Sequence, residues 1–278
     1  MRRIPAVLAP ILALILCTAL PAAGQGIVNS TISGNSIEIT VALPGGLGAD
    51  VSISFEEVTG LSLANLGLSA QVANTLSPAF RARLPNGVLP VLPLLLRIEP
   101  PASGGLSFSG VTDIDIHTHN LLFAVGTPLR FFSAPLGGKF EDVTAAMGAG
   151  SYRARATKGG FSEFLIVADL RSRNQVIAAK FDRLEELLGQ YEGSLSGSVY
   201  EDLEERLAAA HADYTGGSAQ AAIAEIDGFV AVVEQHSGTD IPDVWRSARD
   251  VQNVAGYLRG AALTLRFSLG LKSTLLGL

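Results

Sequence analysis

Four residues in one segment alternate in a way that could do metal chemistry: Asp113, Asp115, His117 and His119. In an extended strand a two-residue period sends all four to one side and Ile114 and Ile116 to the other. Two imidazoles with carboxylates are donors that zinc or another divalent ion accepts. At about 3.3 Å per residue the four spread over roughly 20 Å, so a single ion cannot touch them all. A metal centre here would use His117, His119 and a ligand from elsewhere in the fold. The same face could instead meet a glycan, or stand as the solvated side of a half-buried strand.

Other chemistry-bearing residues point to structure. His236 lies two residues before Gly238, where a protonated imidazole suits the C-terminus of a helix; His211 also falls on a helical stretch near a turn. The acids Asp182, Glu185, Glu186, Glu201, Asp202, Glu204 and Glu205 fall on the polar sides of helical repeats. GSLSG at 193–197 carries Leu195 where a nucleophile elbow needs serine, and in GFSEF at 160–164 Phe164 replaces the second glycine. Phosphate-loop, dinucleotide and H-E-x-x-H patterns are missing from the sequence. No catalytic residue and no cofactor is therefore expected. The sole tryptophan, Trp245, reads as a core or domain-interface residue, with a sugar-stacking platform as the rival use. Of Phe131 and Phe132, alternation sends one ring inward and the other outward or against a second domain.

The elements that must position these residues fall into three stretches. Residues 1–24 have a basic start at Arg2 and Arg3, an apolar run from Ile4 to Leu20 and a small-residue exit at Ala22, Ala23 and Gly24. That is the layout of a secretory signal peptide, cleaved after Ala23 or Gly24. It implies a periplasmic or extracellular location. Cys17, the only cysteine, leaves with it, and Leu16 before Cys17 argues against lipidation. Removing Arg2 and Arg3 from the 20 Lys+Arg leaves 18 against 26 Asp+Glu, a net charge of −8. An acidic chain without a basic stripe is a poor partner for nucleic acid or anionic lipid. Val88–Leu96 is broken by Pro90 and Pro93, and Val254–Leu271 contains Arg259 and Arg266, so no membrane span is expected after the leader.

From 25 to 171 the chain is rich in Gly, Pro, Ser and Thr, with alternating apolar residues. SIEITVAL puts Ile37, Ile39, Val41 and Leu43 on one face, and Val51, Ile53 and Phe55 repeat it beyond PGGLGAD. Further strands are expected at 66–72, 92–98, 111–118, 128–133, 151–157 and 163–168, with a short helix between 73 and 87. This predicts an antiparallel β sandwich of the immunoglobulin type.

From 172 to 278 the period changes to 3.6. Helices are expected over 176–190, from a Ser198–Glu201 capping box to about Tyr214, from Ser218 to Gly238, and from Asp240 and Pro242 onward through Trp245. This predicts a four-helix bundle or paired helical hairpins. The whole chain is then α+β in two domains. The run Phe181–Gly238 resembles the FIMAH helical module of secreted bacterial proteins, through Leu184, Leu187, Leu203, Leu207, Ala210, Gly216–Gly217, Ala222, Ile226, Phe229, Val233 and Gly238. GGFSEFLIVADLR and IPDVWRS…NVAGYLRGAALTLRFSL resemble uncharacterised exported bacterial proteins with a β domain before a helical one. The resemblance implies an extracytoplasmic, non-catalytic module. The expected function is a structural or interaction role with a protein or glycan partner. The alternatives are a metal- or glycan-binding module on the His117/His119 face, and a hydrolase with an unmarked carboxylate pair.

Overall fold

A computed structural model describes residues 26–276, so the expected leader at 1–24, with Cys17, lies outside the described residues. In chain order come β1 (Ile27–Ser33), β2 (Ser36–Leu43), β3 (Leu47–Thr59), α1 (Leu63–Leu66), β4 (Leu68–Val72), α2 (Pro78–Arg81) and β5 (Val88–Ile98). β6 (Ser107–Leu122), β7 (Leu129–Ala134), β8 (Glu141–Asp142), β9 (Ala146–Gly148), β10 (Ser151–Lys158) and β11 (Glu163–Asp169) follow. The last part holds α3 (Arg173–Tyr191), α4 (Gly197–Thr215), α5 (Ala219–His236), β12 (Val244–Arg246) and α6 (Val254–Leu276).

The fold is α+β, with two antiparallel sheets. One runs β1-β2-β3-β6-β10-β9 with β12 also on β6; the other runs β4-β5-β11-β7-β8. The alternation read from the sequence does the work. Ile37, Ile39, Val51, Ile53, Ile114 and Ile116 of the first sheet share one buried cluster with Leu94, Leu96, Phe164 and Ile166 of the second. Each buried aliphatic chain of that size contributes about 1.5–3 kcal/mol. β5 extends through Pro90 and Pro93. The register against β11 shifts between Leu165 and Val167, opposite the stretch with Pro93, which has no N–H to give.

β11 is buried along its whole length because its other face is covered too. Leu165 and Val167 join Phe132, Phe140 and Val88 in a second cluster, with Phe80 and Leu84 packed on it. This corrects the expectation for the phenylalanine pair. Phe131 stacks on Phe164 at 5.5 Å in the inter-sheet core. Phe132 packs under the segment around α2, and no residue of α3–α6 belongs to its cluster.

The long helices share a third core built from Leu184, Leu203, Ile226, Phe229, Leu258 and Leu265, among others. α3 opens on a reciprocal capping box between Ser172 and Gln175. The box expected at Ser198 does not form. α4 begins at Gly197 with Ser196 at its N-cap, which puts Ser198 inside the first turn. Ser218 caps α5 as expected, accepting from the Ala221 N–H.

The fourth helix starts later than expected. Residues after Asp240 form β12, which pairs with Ser107–Ser109 of β6. Trp245 therefore sits in the core between the sheets, 6% exposed. Its indole stacks on Phe108 at 5.4 Å and meets Phe161 edge-on at 5.0 Å. Burying an indole and completing β6's ladder outweighs a Pro-initiated turn of helix. Asn253 opens α6 instead: its Oδ1 accepts from the Gly256 N–H at 2.7 Å, and its Nδ2 donates to the Gly110 carbonyl at 2.6 Å. Gly110 has φ 70 and lies opposite the register shift between Phe55 and Glu57, so the bulge needs a residue free to take positive φ.

α6 then packs directly on the end of β10. A Cβ at Gly256 would lie 2.5 Å from Gly159 Cα, so only glycine admits this approach. Arg259 pairs with Glu56 and Glu234 at 2.5 and 2.8 Å, and Arg266 pairs with Asp227. No helix among the described residues is long and apolar enough to cross a membrane.

Candidate functional site

β6 presents Asp113, Asp115, His117 and His119 on one side, with Ile114 and Ile116 buried on the other, as the two-residue period requires. The neighbouring strands then divide the four. Asp113 accepts from Thr157 Oγ1 at 2.5 Å, and Asp115 pairs with Arg155 at 3.0 Å. Asp50 of β3, which the sequence reading did not single out, comes to the two histidines. Its Oδ2 is 2.9 Å from His119 Nε2 and 3.9 Å from His117 Nδ1. The hydrogen bond with His119 holds the Asp50 carboxyl below its usual range, with Thr40 adding to the effect. Among the described residues no group of three His, Cys, Asp or Glu is arranged to hold a metal ion. His211 stacks on Phe181 at 4.8 Å, and His236, the last residue of α5, contacts Asp240 through Nδ1 at 2.7 Å.

A second cluster of charged groups lies elsewhere. A cavity of about 370 Å³ opens between α3, α6, β8 and the end of β10. Phe140, Val176, Leu187, Tyr257 and Ala261 supply apolar wall, and eight charged side chains line it: Glu141, Asp142, Lys158, Arg171, Lys180, Asp182, Arg183 and Glu186. Concave, largely apolar spaces with a few polar groups are where small molecules bind.

Six of the eight charges are held in ion pairs. Lys180 projects from the apolar face of α3 and is 7% exposed. It meets Asp142 of β8, 2% exposed, at 2.8 Å. Its Nζ also donates to the Thr264 carbonyl at 3.0 Å, Thr264 Oγ1 at 2.6 Å and Ser268 Oγ at 2.9 Å, all on α6. Burial pushes the Asp142 carboxyl up, but the Lys180 charge and the hydrogen bonds from Lys180 and Thr144 outweigh it and hold it low. Burial pulls the Lys180 ammonium down against Asp142's attraction. Arg171 pairs with Asp169 at 2.6 Å, and Arg183 with Glu141 at 3.2 Å and Glu186 at 2.7 Å.

Lys158 is the lining cation outside these pairs. It ends β10, half-buried, and donates to Ser133 Oγ at 3.0 Å. Among the described residues it has no carboxylate within ion-pair distance, and Glu141 pairs with Arg183. Burial pulls its ammonium down to about 8, Glu141 opposing the fall and Arg183 adding to it. Such an amine can neutralise an incoming anion or, unprotonated, attack a carbonyl carbon.

Sequence reasoning missed this site, although part of it left a trace. Lys180 falls three residues after Ile177 and four before Leu184, on the apolar stripe of its helix, where a charge must find a buried partner. Lys158 and Asp142 gave no local sign.

A sequence family described as Family of unknown function (DUF6689) matches residues 11–272, and the chain belongs to it. Comparison with curated proteins gives no match.

Proposed function

We propose that this member of the DUF6689 family is an exported, non-catalytic binding protein that holds a small ligand in the cavity between its sheets and helices. One observation carries the reading: a 370 Å³ largely apolar cavity contains a lysine that forms no ion pair with a carboxylate among the described residues. Unpaired charge in a semi-enclosed apolar space is costly, and proteins retain it where a ligand supplies the counter-charge. The absence of a catalytic motif in the sequence supports binding over turnover. The basic start, apolar run and small-residue exit of residues 1–24 support export to the periplasm or exterior. Within this reading the paired sheets are an immunoglobulin-like sandwich, α3–α6 form a four-helix bundle, and a protein or glycan partner is met by the outer surfaces.

The anionic fluorophore 1-anilinonaphthalene-8-sulfonate tests the cavity. One saturable site is expected, lost in Ala261→Phe, whose ring would fill the space from α6. Equal binding to both proteins, with unchanged melting temperatures, would remove the cavity from consideration. Export is tested by N-terminal sequencing after expression in a host with a secretory pathway. A new terminus at Gly24 or Gln25 is expected, and an intact Met1 in the cytoplasm would refute it.

A further inference from the structure

We propose that the ligand of this cavity is a monocarboxylate with an apolar body, its carboxylate paired with Lys158 Nζ. The inference rests on the cavity being a binding site and adds the ligand's chemical class. The charge pattern of the walls selects it. Arg171 is satisfied by Asp169, Arg183 by Glu141 and Glu186, and Lys180 by Asp142. Among the described residues, Lys158 is the lining cation without a carboxylate partner: its ammonium has three N–H groups, and Ser133 Oγ takes one and fixes its direction. Asp182, also at the cavity, is exposed to solvent on α3 and does not reach Lys158.

A single free point charge suits a single negative charge. Phosphate recognition uses several convergent donors or a bidentate guanidinium fork, and both arginines here are already engaged. A second carboxylate on the ligand would find no free cation and would face Glu141, Asp142 and Glu186. A cationic ligand would meet Lys158 with like charge. Phe140, Val176, Leu187 and Tyr257 give the cavity apolar wall for a ligand body. A cavity of 370 Å³ stands at the small end of the range for drug-sized ligands, which fits a medium-chain or aromatic acid.

The test is isothermal titration of the purified protein with octanoate, 1-octanol and octylamine, repeated on Lys158→Met and Lys158→Arg. Acetylation of Lys158 by acetic anhydride, read by mass spectrometry with and without octanoate, runs alongside. Octanoate is expected to bind saturably and to shield Lys158 from acetylation. Its affinity should fall at least about tenfold in Lys158→Met, as loss of a charged hydrogen bond in an apolar site implies, and survive in Lys158→Arg. Equal affinities for octanoate and 1-octanol, both indifferent to Lys158→Met, or a preference for octylamine, would overturn the carboxylate class and leave the cavity as a binding site. No binding of any of the three, with Lys158 acetylated at the same rate throughout, would overturn both.

Discussion

Replacing Lys180 with methionine removes the ammonium from a place where three layers meet. Lys180 comes from α3, its acceptors Thr264 and Ser268 from α6, and its counter-ion Asp142 from β8. Methionine fills a similar volume, so the loss is electrostatic. Asp142, 2% exposed, would keep the Thr144 N–H at 2.9 Å but lose its ion-pair partner. Removing one partner of a buried pair costs about 3–5 kcal/mol, because the other charge stays behind without compensation. Counting bonds agrees: three lost hydrogen bonds from a charged donor, at roughly 1–1.5 kcal/mol each, give a similar figure. Adding Asp142→Asn removes the stranded charge and should recover most of that loss. The assay is urea unfolding at pH 7, followed by Trp245 fluorescence in the inter-sheet core and by far-ultraviolet circular dichroism for the helices. Coincident transitions in the parent and a lower midpoint in Lys180→Met are expected, with the double variant between them. A cost below about 1 kcal/mol for Lys180→Met, or a double variant that simply adds the two losses, would refute the reasoning. The sign of the acid response follows too. Asp142 binds its proton less readily folded than unfolded, so its contribution is full above the ordinary carboxyl value of 3.8 and is lost as pH falls below it. Asp142→Asn should lose less stability than the parent over that acid range.

Three further outcomes are expected. Glu163→Gln, which strips the negative charge from a 1%-exposed carboxylate held by Arg83 and Arg97, should cost about 2–3 kcal/mol in urea unfolding; an unchanged midpoint would show that the arginines find water instead. Lys158 titrates at about 8 in the fold against 10.5 as an ordinary lysine, so the unfolded chain holds the extra proton in between. Unfolding free energy should therefore rise from pH 8 towards about 9.5, and Lys158→Met should reduce that rise; a parallel pH profile for the variant would contradict the assignment. Gly256→Ala, which puts a methyl 2.5 Å from Gly159 Cα, should cost about 1–3 kcal/mol by pushing α6 off β10, despite alanine's better helix propensity. A stabilised variant would mean that helix and strand are not in close contact there.

Period alone was enough for much of the architecture. Ile37, Ile39 and Val41 alternate into the core because a strand's side chains do so whatever surrounds it, and β2 begins and ends where the sequence places it. Leu184, Leu187 and Leu188 fall on one side of α3 for the same local reason at 3.6 residues per turn. The outward row Asp113, Asp115, His117 and His119 was legible too, but not the arrival of Asp50 from β3, since strand pairing is not written in either strand. Trp245 shows the opposite case. Local signals at Asp240 and Pro242 favour a helix, and the open edge of β6 and an inter-sheet space for an indole prevail. The cavity belongs wholly to tertiary structure. Asp142, Lys158 and Lys180 lie on three elements, and helix packing through Gly256 and Gly260 closes the space their polar ends share. Periodicity is set by backbone geometry within a few residues, whereas a shared site depends on which surfaces find it favourable to leave water together.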